Sequence, residues 1–356
     1  MEAIKIIENV IMLKIEQSKF TKRAVLYIGF KCNLRCRFCY YADNVTVPKE
    51  WYSLDCCKRD AHTFRSVYKN KFVDITGGEP TIYPDILQLV SYCREIGLRP
   101  TIITNMQALA DLDVAKQFKD AGIEDFLCSV HNLGVAYDDV VGVNGSFSRV
   151  EKALDNLVHL SIPFRTNVTI NKTNFKALKN IAEFVYTKGC RTINYISCNL
   201  FRDHDETFDL IARFSEMKDC LHEALNYCDI HSMHTAVRYM PFCFLYGHEN
   251  KCYNYRQLPY DNYEWDYKSW SDVNSSAPAP KVSRGLYNFM EDSGAYEHLA
   301  KVFTGESYTY SPKCMDCRLS LICDGLNKNY ARKFGTEEVC PCPGDKITKP
   351  DEFLAK

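Results

Sequence analysis

The stretch Lys31–Tyr40, KCNLRCRFCY, holds three cysteines, Cys32, Cys36 and Cys39, with the spacing C-x3-C-x2-C. Thiolates so close in sequence can reach one small inorganic group only if the backbone wraps around it as a loop. Soft sulfur ligands suit an iron–sulfur cluster, and three of them leave one iron of a four-iron cluster open for chemistry. A zinc site with its fourth ligand elsewhere is the alternative, although zinc loops usually use C-x2-C pairs.

A second motif follows the next predicted strand. Residues Phe72–Thr76 (FVDIT) have the pattern of a buried strand and run directly into Gly77, Gly78, Glu79 and Pro80. Two glycines at a strand end allow the backbone to approach a ligand closely. Glu79 adds an acceptor, and Pro80 restricts how the chain leaves the turn. A turn with no ligand would explain this motif equally well if it stood alone.

Together the two motifs resemble those of the radical S-adenosylmethionine (SAM) superfamily, whose signature is C-x3-C-x-aromatic-C on the loop after the first barrel strand. The resemblance implies that Cys32, Cys36 and Cys39 bind a [4Fe-4S] cluster. It also implies that SAM chelates the open iron through its amino and carboxylate groups, that Phe38 lies near the adenine, and that the Gly77–Pro80 motif holds the amino group. The implied activity is reductive cleavage of SAM to a 5′-deoxyadenosyl radical.

Length, charge and cysteine content set the broad class of the protein. The chain has 356 residues, 46% of them hydrophobic, which is enough for a barrel and an appended domain. A net charge of −1 offers no basic field for nucleic acid. Residues 1–22 match neither a signal peptide nor a membrane span, and we expect an N-terminal extension. Eighteen cysteines then indicate iron–sulfur chemistry in a reducing cytoplasm, away from any membrane.

Strand and helix patterns alternate from Ala24 to about Tyr239, which predicts six β/α repeats. The predicted strands are Ala24–Phe30, Phe72–Thr76, Arg99–Thr104, Asp125–Val130, Arg165–Ile170 and Arg191–Ser197. The expected fold is α/β: a partial (β/α)6 TIM-like barrel over residues 23–238, as the resemblance also implies. A small, cysteine-rich C-terminal domain is expected over residues 239–356.

In such folds ligands bind at the carboxyl ends of the strands. The cysteine loop and the two glycines fall there, and so do polar residues that we expect to contact SAM or substrate: Thr104, Asn105, Ser129, His131 and Asn167. Cys128 and Cys198 also lie near strand ends. They are candidate hydrogen donors to a substrate radical, with inert packing thiols as the alternative.

A further cysteine motif, Cys314-x2-Cys317-x5-Cys323, lies near the C-terminus. Its spacing resembles the extension called SPASM or twitch, found in radical SAM peptide maturases and in some sugar-modifying enzymes. The resemblance implies an auxiliary [4Fe-4S] cluster whose distant ligand is Cys340 or Cys342. A structural zinc knuckle is the alternative.

This chain departs from the two-cluster form of that extension. That form has another cysteine four residues after the third, where this chain has Asn327. We therefore expect a single auxiliary cluster. Cys243 and Cys252 remain as free thiols, partial ligands or part of a second site.

The sequence leaves the substrate open between two classes. One is a ribosomally made precursor peptide, with the auxiliary cluster assisting an oxidation, although residues 1–22 leave no room for a leader-binding domain before the barrel. The other is a sugar, aminocyclitol or nucleoside intermediate that is dehydrogenated or epimerised. A non-catalytic electron carrier is a third hypothesis, but a carrier needs no open iron. For the enzyme, we expect a flavodoxin- or ferredoxin-type reductant as partner.

Overall fold

The computed structural model describes residues 23–39, 41, 51–66, 68–198, 209–261, 263, 267–270, 281–284 and 307–354. The predicted N-terminal extension, residues 1–22, lies outside the described residues. Within the described part of the chain, no helix combines the length and apolar character needed to cross a bilayer.

Seven parallel strands form a curled half-barrel, and each pairs with the next strand in sequence. They are β1 (Arg23–Tyr27), β2 (Phe72–Thr76), β3 (Arg99–Thr104), β4 (Asp125–Ser129), β5 (Phe164–Ile170), β6 (Thr192–Ser197) and β7 (His234–Arg238). Two short strands extend the sheet beyond β1: β8 (Tyr267–Trp270), parallel to β1, and β9 (Lys281–Arg284), antiparallel to β8. Because β1 to β7 are parallel, their carboxyl ends meet at one edge of the sheet.

Helices cover the outer face of the sheet and bury the apolar side of each strand. They are α1 (Leu54–Ser66), α2 (Ile86–Glu95), α3 (Leu112–Asp120), α4 (Gly134–Val141), α5 (Ser146–His159), α6 (Leu178–Thr187) and α7 (Phe214–Ile230). The inner face at the amino ends of the strands is filled by ion pairs. Arg23 pairs with Asp74, and Arg165 donates to Asp125 at 2.7 Å.

The structure confirms the α/β half-barrel but contains one parallel strand more than the six predicted. The additional strand, His234–Arg238, is short and carries a charged or polar residue at each end, so its hydrophobic pattern is weak. It forms because β6 offers a free edge, with Ile193 opposite Thr235. Residues 199–208, between β6 and α7, lie outside the described part of the chain.

Residues 307–354, here called the C-terminal module, form a small unit beside the barrel. It contains a two-stranded antiparallel ladder, β10 (Tyr308–Thr309) and β11 (Leu326–Asn327), and a short helix, α8 (Lys328–Phe334). A single 3₁₀ turn, Pro312–Asp316, carries the first cysteine of the C-terminal motif. The domain boundary expected at residues 238 and 239 stays a prediction.

Candidate functional site

The loop after β1 carries Cys32, Cys36 and Cys39, each of them half-buried. Leu34, which is 2% exposed, anchors the middle of the loop in the core. The Arg35 backbone N–H donates to the carbonyl of Val141 at 2.8 Å, at the C-terminal end of α4. The loop is therefore fixed by the core at Leu34 and by the end of α4 at Arg35.

The chemistry of these thiols fits an iron–sulfur cluster. Cys36 lies close enough to both Cys32 and Cys39 for their charges to interact. Burial raises the pKa of Cys32 to about 11 and raises that of Cys36 as well. Bound iron supplies the positive charge that converts such thiols into thiolate ligands.

Among the described residues, no three His, Cys, Asp or Glu side chains converge on a single-ion site. A four-iron cluster binds each cysteine to a different iron, and so its ligands stand farther apart than those of one ion.

Gly77 and Gly78 let the end of β2 press against the cluster loop. A Cβ added at Gly77 would lie 1.9 Å from the carbonyl oxygen of Gly29, and one at Gly78 would lie 2.0 Å from that of Lys31. The Gly78 N–H donates to the Gly29 carbonyl at 2.9 Å. The close approach expected of these glycines is thus made by the protein's own loop, and contact of the motif with SAM stays a prediction.

Glu79 is 1% exposed and connects the ends of β2 and β3. Its Oε1 accepts hydrogen bonds from the Thr81 hydroxyl at 2.5 Å and from the Thr104 hydroxyl at 2.6 Å. Its Oε2 accepts from the Asn105 N–H at 2.7 Å. Burial raises the pKa of Glu79, while these hydrogen bonds lower it. The carboxylate therefore positions strand ends, and Pro80 begins the turn that follows.

Asn105 connects this carboxylate to the cluster loop. Its backbone is held by Glu79, and its side-chain Nδ2 donates to Asn33 Oδ1 at 2.8 Å. The same nitrogen lies 3.8 Å from the sulfur of Cys32. The structure thus brings together Glu79, Asn105 and the first motif cysteine, which lie far apart in sequence.

Phe38 and His131 form an aromatic pair on the other side of the loop, with ring centroids 4.6 Å apart and edge-to-face geometry. Nδ1 of His131 accepts a hydrogen bond from the Thr169 N–H at 3.1 Å. Burial lowers the pKa of His131 to about 3. The imidazole is therefore neutral, and because Nδ1 accepts from Thr169, Nε2 carries the proton and is a donor.

Half-exposed side chains line the inner face near the carboxyl ends of the strands. Ser129 is opposite Asn167, and Thr169 is opposite Ile196. Arg238 is opposite Ile196 on its other side and pairs with Asp261. The described wall is therefore polar but electrically balanced.

The two candidate hydrogen donors are buried. Cys128 is fully buried, and Cys198 is 7% exposed. Burial raises the pKa of Cys198 to about 12 and raises that of Cys128 too. Their role as donors stays a prediction.

Sequence reasoning missed Asn33 and Tyr137, which both support the site. Tyr137, on α4, is fully buried, and its hydroxyl donates to the Ser129 carbonyl at 3.4 Å. No local signal marks either residue, because their partners come from distant strands.

A second group of cysteines lines a cavity where the C-terminal module meets the segment after β7. We call it the auxiliary cavity. Its cysteines are Cys243, Cys314, Cys317 and Cys323, and Leu319 and Leu326 add apolar walls. Four thiols around one cavity with apolar walls have the donor chemistry that suits an iron–sulfur cluster.

The other cysteines near this cavity occupy different positions. Cys342 is 3% exposed, and its backbone N–H donates to the Cys317 sulfur at 3.4 Å. Cys340 is exposed to solvent. Cys252 is fully buried and is not among the cavity-lining residues. Asn327 accepts hydrogen bonds from Asn329 and Tyr330 N–H groups, and so it caps α8.

The sequence that forms this site was compared with models of protein families. Residues 26–185 match the model of the radical SAM superfamily. These residues form a radical SAM domain. Such a domain implies a [4Fe-4S] cluster and SAM as cofactors of an enzyme of radical SAM type, and the cysteine-rich C-terminus fits an auxiliary cluster domain.

Two curated relatives show how far the sequence similarity of this chain extends. An AdoMet-dependent heme synthase of Methanosarcina barkeri is 26% identical over 159 residues, which are 44% of this chain and 45% of that protein. A probable GTP 3′,8-cyclase of Sulfurisphaera tokodaii is 24% identical over 215 residues, 58% of this chain and 66% of that protein. The chain thus spans less than two thirds of each relative.

Solved structures share the fold over nearly the whole chain. Streptococcus suis SuiB bound to the precursor peptide SuiA superposes with a TM-score of 0.60 at 17% identity, covering 94% of this chain and 78% of that one. The enzyme anSMEcpe with bound AdoMet and Cp18Cys peptide superposes with a TM-score of 0.55 at 11% identity, covering 93% and 94%. At these identities the likeness concerns the fold.

Proposed function

We propose that this protein abstracts hydrogen from an unactivated carbon of a peptide, a ribosomal natural-product precursor, and that an auxiliary cluster assists the oxidation that follows. When bound, the barrel cluster and SAM supply a 5′-deoxyadenosyl radical for this step. The observation that carries the proposal is the pairing of two cysteine sites, one on the loop after β1 and one in the auxiliary cavity.

Different residues around the first site would bind the cluster, orient its loop and contact SAM. Cys32, Cys36 and Cys39 would bind the cluster. Asn105, fixed by Glu79, orients the loop beside Cys32. Phe38 and the neutral His131 form a wall that can pack on a flat base without introducing charge.

The charges of the inner wall support a peptide over a nucleotide. Near the carboxyl ends of the strands, Arg238 lies against Asp261, and at the amino ends Arg23 lies against Asp74 and Arg165 against Asp125. A triphosphate is bound by cations aimed at its oxygens. A balanced wall with serine, asparagine and threonine suits the amides of a peptide backbone.

The fold comparisons agree with this choice of substrate. SuiB and anSMEcpe, whose structures hold peptides, cover more than nine tenths of this chain in superposition. The auxiliary cavity belongs to the same proposal: Cys314, Cys317 and Cys323 would hold the auxiliary [4Fe-4S] cluster, together with one further cysteine. A flavodoxin- or ferredoxin-type reductant and a cytoplasmic location also belong to it.

The test is hydrogen transfer. Reduced protein loaded with both clusters is incubated with SAM and perdeuterated candidate peptides, and 5′-deoxyadenosine is analysed by mass spectrometry. Deuterium in 5′-deoxyadenosine and a peptide lighter by two hydrogens are expected. SAM cleavage that is stimulated only by sugars or nucleosides would instead support the dehydrogenase or epimerase alternative. The GTP cyclase among the relatives keeps nucleosides in the panel.

A further inference from the structure

The auxiliary cavity identifies a ligand outside the C-terminal motif. We propose that Cys243, from the segment after the last barrel strand, is the fourth ligand of the auxiliary cluster, beside Cys314, Cys317 and Cys323. This inference rests on the proposed auxiliary cluster and deepens it. It assigns the fourth position to neither Cys340 nor Cys342, the two residues indicated by the sequence resemblance.

The first support is position. Cys243, Cys314, Cys317 and Cys323 line one cavity, whereas Cys340 and Cys342 are not among its lining residues. Cys243 lies close enough to both Cys314 and Cys317 for their charges to interact, and Cys323 is close enough to Cys243. A four-iron cluster needs four thiolates facing one space, and these four line the same cavity.

The second support is the fixed geometry around Cys243. The residue sits in a 3₁₀ turn, Phe242–Phe244, whose flanking phenylalanines are 1% and 3% exposed. The Phe244 carbonyl is hydrogen-bonded by His222 Nε2 at 2.8 Å, which ties the turn to α7. A rigid turn costs little further ordering when its thiol binds metal.

The third support is the set of backbone donors aimed at the sulfurs. The Cys323 sulfur accepts hydrogen bonds from the N–H of Gly325, at 3.4 Å, and from the backbone of Phe242. The backbone of Cys340 donates to the Cys243 sulfur. N–H groups directed at cysteine sulfur stabilise thiolate charge on cluster ligands. Cys340 thus stabilises the Cys243 sulfur through a backbone hydrogen bond, while the Cys340 side chain is exposed to solvent.

Cys342 has a different role in this arrangement. Its N–H donates to the Cys317 sulfur, and the two side chains are hydrogen-bonded to each other. Its thiol also lies near Cys243, but Cys342 is not among the cavity-lining residues, and we assign it the support of Cys317. With Cys243 as a ligand, the cluster itself would link the last barrel strand to the C-terminal module.

The ligand set is tested in full-length protein in which Cys32, Cys36 and Cys39 are all replaced by alanine, so that only the auxiliary cluster can form. In this parent, about four irons per chain are expected after anaerobic reconstitution. Adding Cys243→Ala should reduce the iron to three or fewer and produce the EPR signal of a three-iron cluster on oxidation. Adding Cys342→Ser, which keeps a hydrogen bond to Cys317, should leave four irons.

A second measurement, alkylation of cysteine thiols, requires no substitution of a cavity residue. In the cluster-loaded parent, Cys243 should be protected from alkylation and should lose that protection when iron is chelated. Cys340 should be alkylated equally in both states and is the matched control. Gel filtration and circular dichroism confirm that each variant is folded.

The outcomes separate the two proposals. A parent with no cluster would overturn the auxiliary cluster and this assignment together. Four irons in Cys243→Ala, with an unchanged EPR spectrum, would overturn the assignment alone. Iron loss in Cys342→Ser would also overturn it, because Cys342 would then be a ligand.

Discussion

The ring of Tyr330, in the C-terminal module, stacks on the ring of Phe214, the first residue of the barrel helix α7, with centroids 4.2 Å apart. The Tyr330 hydroxyl accepts a hydrogen bond from the Phe214 N–H at 2.6 Å and donates to Glu338. Glu338 in turn accepts from the Ser215 hydroxyl at 2.7 Å. The module thus satisfies the open N–H groups at the start of a barrel helix.

Tyr330→Phe should destabilise the folded protein by about 1–3 kcal/mol, since it keeps the stacked ring but leaves buried hydrogen-bonding groups without a partner. The measurement is urea unfolding of cluster-loaded protein. Tyr246→Phe is the matched control, because Tyr246 is 54% exposed and its hydroxyl can be replaced by water. Equal stability of the two variants would show that this contact does not hold the module on the barrel.

Gly78→Ala should weaken the barrel cluster. Its Cβ would meet the Lys31 carbonyl at 2.0 Å, so the cysteine loop has to move away from the end of β2. Iron content and the EPR signal of the SAM-bound cluster report the effect. Gly145→Ala is the control: an added Cβ there meets nothing within 4 Å, although φ is positive. Gly145→Ala should lose stability because of its positive φ and Gly78→Ala because of the steric clash, but only Gly78→Ala should lose iron.

Cys36→Ala should abolish SAM cleavage and leave the fold largely intact, because the loop lies at the barrel mouth and the strands carry the core. Wild-type protein should hold about eight irons per chain, and this variant about four, those of the auxiliary cluster. Cys56→Ala, on the half-exposed face of α1, should change neither quantity. Continued formation of 5′-deoxyadenosine by Cys36→Ala would contradict the assignment of the loop.

The neutral state of His131 predicts a pH dependence of stability. Its pKa falls from 6.5 to about 3 in the folded protein. Below pH 6.5 this histidine therefore binds a proton in the unfolded chain but not in the folded chain. The contribution of this residue to the free energy of unfolding should therefore fall by about 1.4 kcal/mol per pH unit below that value.

The check compares unfolding of wild type and His131→Gln between about pH 5 and 7.5, because the difference cancels other titrating groups. Glutamine can still accept from the Thr169 N–H. His159→Gln, at an exposed position, is the control and should run parallel to wild type. Parallel curves for His131→Gln as well would mean that His131 takes up a proton when folded.

Cys323→Ala should weaken the auxiliary cluster but leave the barrel cluster in place. Because the two cysteine groups lie on separate parts of the chain, SAM cleavage without substrate should persist, while oxidised product should not be released. Solubility and barrel-cluster iron are measured alongside turnover, since a cluster-bound module can depend on its metal for folding. Full product formation by a soluble variant without the auxiliary cluster would make that cluster structural.

Local patterns were sufficient for much of the fold and for the first site. The segments Phe72–Thr76 and Arg99–Thr104 are strands with the predicted bounds, because both are rich in the apolar and β-branched residues that strands favour. The loop of Cys32, Cys36 and Cys39 was found because its ligands are local in sequence. His234–Arg238 was missed because it is held by its neighbour β6 rather than by its own pattern.

Sequence alone determined the family motifs, the parallel α/β order and the presence of a C-terminal cysteine group. Tertiary structure alone decided which side chains meet. In the folded protein Asn105 lies beside Cys32, and the cluster loop packs closely on Gly78. Cys243 lies near Cys314. The physical reason is that spacing records only contacts between near neighbours in the chain, whereas a cavity is built by strand ends and turns that packing brings together.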